Sequence, residues 1–267
     1  MCYDISFRTQ LEEITAYFPE LVADPQLKVE WPSYEHLQAQ AYPKIPIIYR
    51  DKKDGVLRLK VMEWGIIRHT AEVEPPAEER RFNLNIMSEK IFNKHIYWNQ
   101  IKDNRCLIPM NDTFEHRGIR GWSKKVTYVI RPKEMPGVFF MPGLYSVASI
   151  VDKNTGELVE KWTWGLITRE PSPDNIIRQI HNDSARGFRM ALYLPFNVAK
   201  EFVSQGLADD KYKEILNYEM KSDDLVYFPV DTIRTAKPRK DGKKKYEPYD
   251  WGGKVPELGT LNPTDQK

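Results

Sequence analysis

The sequence predicts an α+β domain: a curved antiparallel sheet or barrel-like β core with helices at its periphery. Three observations carry that expectation. Apolar and polar residues alternate in runs of strand length, as in Arg58-Leu-Lys-Val-Met-Glu-Trp64. Two longer runs, 138–152 and 158–169, flank the turn Lys153-Asn-Thr-Gly156 as the arms of a hairpin do. Helical spacing is confined to short stretches between the strand runs.

Taken in order, a helix is expected over about 8–17, with Leu11, Ile14 and Phe18 on one face. Residues 25–50 are rich in Pro and aromatics and read as an irregular loop. The strand 58–64 follows, then a long loop containing Pro75-Pro76. Ser88 is an expected N-cap for a helix reaching 100, with Ile91, Phe92 and Ile96 on its apolar face. Cys106–Pro109 is a short apolar strand, Asp112–Glu115 a second, edge strand, and Arg117–Lys125 a basic Gly-containing turn. Val126–Arg131 is another strand, followed by the long hairpin. Two short helices fit 196–205 and 209–220, and Leu225–Val230 closes the strand set. From about 236 the chain becomes charged and Gly/Pro-rich, with Lys237-Pro-Arg-Lys240 and Lys243-Lys-Lys245. The organisation expected is therefore a folded domain at 1–235 and a charged C-terminal tail at 236–267, its basic run solvated. No internal repeat is present.

Composition bounds the function. A chain of 267 residues with 41% hydrophobic and 12% aromatic residues builds a substantial core. No run approaches the ~18 apolar residues that a membrane span needs. Met1-Cys2-Tyr3-Asp4 has neither the basic nor the apolar stretch of a secretory leader. Two cysteines, Cys2 and Cys106, make no disulfide framework and no zinc site, which fits a reducing cytoplasm. No His/Cys/Asp cluster has metal-ligand spacing, so neither a metal nor an organic cofactor is expected. A net charge of +2 does not favour nucleic acid globally and leaves room for a local basic face.

Cys2 is the most informative residue. Once Met1 is trimmed it carries a free α-amine and a thiol on neighbouring carbons. An α-amine has a pKa near ~8, so part of it is nucleophilic at neutral pH, and its ammonium form favours the thiolate. A 1,2-aminothiol attacks one carbonyl carbon twice, first as a Schiff base and then by closing a thiazolidine ring. Alternatively the thiol attacks alone with the amine as base, as in amidases with an N-terminal nucleophile.

Three further polar segments stand out: Asn83-Leu-Asn85-Ile-Met-Ser-Glu89; Asn111-Asp112-Thr113-Phe114-Glu115-His116; and Ile180-His181-Asn182-Asp183 with Arg186 and Arg189-Met190. If Phe114 packs inward, Glu115 points to the opposite face of its strand. A lone Asn beside a helix, a Glu on a strand or a single His is ordinarily structural. Their order along the chain is what is specific.

In that order the chain resembles the SOS response-associated peptidase (SRAP) family, proteins that crosslink to abasic sites in single-stranded DNA. Met1-Cys2 matches the family start, and Trp64-Gly65-Ile66-Ile67 matches its Trp-Gly-Leu-Ile segment. Asn85-Ile-Met-Ser-Glu89 matches Asn-Ala-Arg-x-Glu, and Arg105-Cys-Leu-Ile-Pro109 through Phe114-Glu115 matches Arg-Cys-Leu-x-Pro ending in an aromatic and Glu. Phe139–Tyr145, His181 with Arg189-Met190, and Leu225–Val230 match later segments, so the resemblance spans about 1–235. The chain also departs from the family. Tyr3-Asp4 replace Gly-Arg, Met87 stands where an Arg often binds phosphate, His69 and His116 replace frequent Trp residues, and Ala191 replaces a Pro. These changes fall on the DNA surface more than on the reactive residues.

The resemblance implies that the Cys2 amine attacks C1′ of the ring-opened sugar and that the thiol closes the thiazolidine. It implies His181 as general acid/base, Glu115 as the group that orients the α-ammonium and takes its proton, and Asn85 as a hydrogen-bonding positioner. For DNA contact, Trp64 is the expected aromatic platform, and Arg189, Arg117, Lys124 and Lys125 are the expected phosphate contacts. The expected partner is single-stranded DNA containing abasic sites, with no membrane and no metal, bound by a monomer in the cytoplasm that joins the nucleoid on damage. Two other readings stay open: an N-terminal-nucleophile cysteine amidase or peptidase, and a single-strand-binding module without chemistry.

Overall fold

The computed structural model of the chain describes residues 2–24, 27, 31–182 and 187–258. The chain runs β1 (Asp4–Phe7), α1 (Leu11–Tyr17), β2 (Val22–Ala23), β3 (Tyr34–Gln38), β4 (Lys44–Arg50), β5 (Leu57–Trp64), α2 (Ala77–Arg80) and β6 (Asn85–Met87). It continues through α3 (Tyr97–Gln100), β7 (Arg105–Met110), β8 (Asp112–Arg117), β9 (Val126–Pro132), β10 (Phe139–Val151) and β11 (Leu158–Arg169). It ends with α4 (Ile177–Ile180), β12 (Met190–Ala191), α5 (Phe196–Phe202), α6 (Asp209–Asn217) and β13 (Leu225–Val230).

Five of these strands close on themselves. In the order β5-β4-β7-β10-β11 each pairs with the next, antiparallel throughout. β11 then returns to β5 through a parallel contact that sets Trp164 opposite Trp64. The closure requires close backbone approach. A Cβ on Gly143 of β10 would lie 2.5 Å from Ile108 Cδ1 and 2.7 Å from the Gly165 carbonyl oxygen, so only glycine fits. The second sheet has the order β13-β9-β8-β1-β3. The α+β class with a barrel-like core and peripheral helices is thus borne out.

β8 carries the candidate site residue of the second sheet. Phe114 packs outward with Val129, Val230 and Ile233 into a small separate core. Strand alternation then turns Glu115 to the opposite face. The expectation of an edge strand at 112–115 is corrected: β8 lies between β9 and β1.

Two other expectations change. The loop at 25–50 contains β3 and β4, while residues 25–26 and 28–30 lie outside those described. Pro46 sits inside β4, but β4 bonds to β7 only around Ile48 and Tyr49, so the missing N–H breaks no ladder there. The single helix at 88–100 is a 3-10 turn at Ser88–Lys90 followed by α3, and Met87 rather than Ser88 occupies the N-cap position. Asn93 Oδ1 accepts from the His95 backbone N–H at 3.0 Å, a local turn that competes with helix.

The described part of the C-terminal segment folds back on the domain. Arg8 lies 3.6 Å over the Tyr246 ring, Trp251 packs on Trp122, and Arg117 Nη1 donates to the Pro256 carbonyl oxygen at 2.5 Å. Its basic run is only partly tied down: Lys237, Lys240, Lys243 and Lys244 are exposed, as expected of a solvated run. Arg239 is buried against Asp241 and the carbonyls of Lys244, Glu247 and Pro248, and Lys245 donates to the carbonyls of Ile233 and Thr235. Among the described residues, no helix is long and apolar enough to cross a membrane.

Candidate active site

Cys2 lies just before β1, fully buried, with its thiol donating to the Asp4 carbonyl oxygen at 3.7 Å. Burial pushes the thiol well above its ordinary pKa, and the negative charges of Glu115 and Asp4 add to that. The resting thiol is therefore protonated.

A buried carboxylate stands on β8. Glu115 is buried, and its Oε2 lies 2.8 Å from His181 Nδ1. Burial alone would raise this carboxyl. Positive charge at the start of the chain and at His181 outweighs it and holds the group below the usual carboxylate value. The other oxygen, Oε1, is buried with no hydrogen-bond partner among the described residues. Buried polar atoms are almost always paired, so this oxygen is free to accept from water or from a donor brought into the site.

His181 follows the last turn of α4, which packs on β8. Its neighbour fixes it there: Asn182 accepts from the Gly118 N–H at 2.8 Å and donates back to the Gly118 carbonyl oxygen at 2.7 Å. This clamp ties the His181 loop to the end of β8. Asp183 and Arg186, from the same sequence segment, lie outside the described residues.

Asn85 opens β6, which runs parallel to β11. Both of its amide atoms are buried without a partner among the described residues. The structure thus pairs Glu115 with His181 and sets Cys2 within electrostatic reach of Glu115.

Sequence reasoning missed Tyr193. It is buried, its hydroxyl lies 2.5 Å from Thr113 Oγ1, and the charges of Cys2 and Glu115 add to the upward push that burial gives its pKa. Its place shortly after Arg189-Met190 was the available signal.

The expected DNA contacts divide. Trp64 is fully buried, stacked on Trp164 at 4.6 Å, and donates through Nε1 to the Leu84 carbonyl oxygen at 2.8 Å. It anchors the approach to Asn85 and has no face left for a base, which corrects the platform expectation. Arg189 is buried and bidentate to Glu89 at 2.9 and 3.0 Å, with further bonds to Thr168. Arg117 is buried and holds Tyr128 and Pro256. Both arginines are therefore withdrawn as phosphate contacts. Lys124 and Lys125 are exposed on the β8–β9 loop.

An exposed aromatic does exist. Phe82 is 72% exposed in the 3-10 turn that leads into β6, with the Arg81 guanidinium 4.9 Å from its ring centroid. An Arg-Phe pair three residues before the singled-out Asn was the sequence signal.

A closed five-stranded barrel with a second sheet that carries a buried carboxylate–imidazole pair beside a cysteine at position 2 defines the class of domain. The chain belongs to the SOS response associated peptidase (SRAP) family, whose model matches residues 1–234. Solved structures share the fold. A protein from Bacteroides thetaiotaomicron aligns with TM-score 0.70 at 24% identity, covering 92% of this chain and 97% of that one. A protein from Bordetella bronchiseptica aligns with TM-score 0.66 at 19% identity, covering 86% and 100%. A phage-related protein from the same organism gives 0.58 at 18% identity, covering 86% and 95%. No curated protein matches the chain. Among the described residues, no group of three or more His, Cys, Asp or Glu is arranged to hold a metal ion.

Proposed function

We propose that this chain, as a cytoplasmic monomer acting on nucleoid DNA after damage, captures abasic sites in single-stranded DNA. It does so by condensing the lesion's aldehyde with the amine and thiol of Cys2 after loss of Met1. SRAP membership supports the coarser half of this reading, a DNA-damage-associated function concerned with abasic sites.

The chemistry balances without redox. The amine adds to C1′ of the ring-opened deoxyribose, the carbinolamine loses one water to give a Schiff base, and the thiol adds across the C=N bond. The thiol proton passes to nitrogen as the five-membered ring closes. Glu115 takes the ammonium proton that must leave before the amine attacks. With Nδ1 engaged by Glu115, acid–base work at the sugar ring oxygen falls to Nε2 of His181. Holding amine and thiol together on one residue makes the second attack intramolecular. Asn85 supplies a two-sided amide for the sugar. Phe82 with Arg81 offers a stacking face for a flanking base, and Lys124 and Lys125 offer charge for phosphates. An abasic nucleotide has no base to unstack, so its entry costs less than that of an intact one.

The observation that carries the reading is Glu115, buried within electrostatic reach of Cys2, with one oxygen held by His181 and the other unpartnered among the described residues. An ammonium on Cys2 is the donor that oxygen lacks. The test is a denaturing gel of the Met1-trimmed protein with a single-stranded oligonucleotide carrying one abasic site, beside an undamaged control. A heat-stable shifted band, absent with Cys2→Ala and on the control, supports covalent capture. Turnover of a small amide with no adduct favours the amidase reading instead.

A further inference from the structure

We propose that Asp4 and Arg234 form a charge clasp that positions Cys2 and sets its reactivity, an inference that rests on the role given to Cys2 above. Asp4 lies two residues beyond Cys2, and its carboxylate is fully buried. Four contacts converge on it. Oδ1 meets His36 Nε2 at 2.7 Å and Arg234 Nε at 3.0 Å; Oδ2 meets His116 Nε2 at 3.1 Å and Arg234 Nη2 at 2.5 Å. His116 is itself held, its Nδ1 lying 3.2 Å from Thr127 Oγ1. The titratable and charged groups facing Asp4 are thus His36 from β3, His116 from β8 and Arg234 from the segment after β13. Cys2 and Glu115 lie within electrostatic reach.

Three features make this more than a structural ion pair. The backbone of Asp4 accepts the Cys2 thiol, so the residue that is clasped is also the one that holds the nucleophile. The charge acts on the same group, because the Asp4 carboxylate disfavours a thiolate on Cys2. By the same Coulomb argument it favours an ammonium there, whereas Arg234 opposes both effects. Finally, Asp4 stays charged despite its burial: hydrogen bonds from His116, His36 and Arg234 hold its carboxyl far below the ordinary range. Arg234 is 41% exposed, so solvent weakens its influence without removing it. A clasp that presents a balanced charge keeps both Cys2 groups reactive near neutral pH.

The experiment uses the full Met1-trimmed chain and glyoxylate, a small aldehyde that needs no DNA. Condensation at Cys2 is followed by intact mass, as the aldehyde added less one water, across about pH 5 to 9, where the α-amine titrates. The same variants are run against the abasic oligonucleotide. Asp4→Asn is expected to move the rising limb of the pH profile down, and Arg234→Gln to move it up, each by roughly half a unit. The double variant returns toward wild type, and Arg234→Lys restores the wild-type profile. Shifts in the same direction, or a uniform loss of rate without a shift, would mean a merely structural role and overturn the proposal. If Asp4→Asn fails to fold, the comparison of Arg234→Gln with Arg234→Lys decides: an upward shift cured by Lys supports the clasp, and two unshifted profiles overturn it. Opposite shifts with glyoxylate but no DNA adduct in any variant would leave the clasp standing and remove the abasic-site reading.

Discussion

Glu115→Gln removes one negative charge and almost no volume. In the structure that charge does two things. It holds His181 through a 2.8 Å contact, and it presents a second buried oxygen that no described residue satisfies. The first is a charge-assisted hydrogen bond whose net worth is about 1.5–3 kcal/mol, part of which a neutral amide retains. The second costs the resting protein stability, since an unpartnered buried acceptor is unfavourable by about 1–3 kcal/mol. These effects oppose one another, so the variant should fold and melt within about 5 °C of wild type. Catalysis should suffer far more. A positioned general base contributes ~100- to 10,000-fold, and Gln accepts no proton. The first-order rate of crosslink formation with a saturating abasic oligonucleotide should fall at least ~100-fold, about 2.7 kcal/mol of barrier. Rapid quenching onto a denaturing gel measures it, with a fluorescence titration showing unchanged DNA affinity. A rate within about threefold of wild type, in a folded variant, would refute the assignment of Glu115 as the base.

Other outcomes follow from the same geometry. Arg189→Met leaves the buried Thr168 carbonyl oxygen without its donor, at a cost of about 1–3 kcal/mol, while solvent takes up the half-exposed Glu89; chemical denaturation should show a loss of that size. The salt dependence of DNA binding should keep its slope, because a residue that touches no phosphate releases no counterion. Trp64→Ala should destabilise the fold by about 3–5 kcal/mol through the cavity it leaves. Phe82→Ala should instead leave the melting temperature unchanged and weaken single-strand binding by about 1–3 kcal/mol, the worth of one stacked base. Thermal stability should fall in acid. The Asp4 carboxyl is depressed in the folded state, so its stabilisation is complete above the unfolded value near ~4 and is lost progressively as pH drops below that. Melting curves between about pH 7 and 3 check this, and Asp4→Asn should flatten the dependence.

Much of the barrel was legible because its signals are local. The alternation of β10 and β11 about the Asn-Thr-Gly turn needs no knowledge of the rest of the chain, and neither does the Leu11, Ile14, Phe18 face of α1. β3 and β4 were hidden by prolines whose lost N–H matters only where a neighbour would use it. Part of β4 has no such neighbour. The candidate site residues were visible as an ordered set, and strand parity separated Phe114 from Glu115, although Phe114 packs into a small separate core rather than inward. What could not be read was burial. Trp64, Arg117 and Arg189 look like surface chemistry in one dimension, but each is consumed by a distant partner: Trp164, Pro256 and Glu89 respectively. The clasp on Asp4 was invisible for the same reason, since His36, His116 and Arg234 come from three separate parts of the chain.

The central claim is that both the amine and the thiol of Cys2 enter the linkage. The most direct measurement is intact mass of the reaction with an abasic oligonucleotide, comparing the Met1-trimmed chain with one carrying an uncleavable N-terminal extension. The account predicts that the trimmed chain gains the oligonucleotide's mass less one water, in a heat-stable form, and that the extended chain gains nothing. An extended chain that crosslinks as fast as the trimmed one would contradict it.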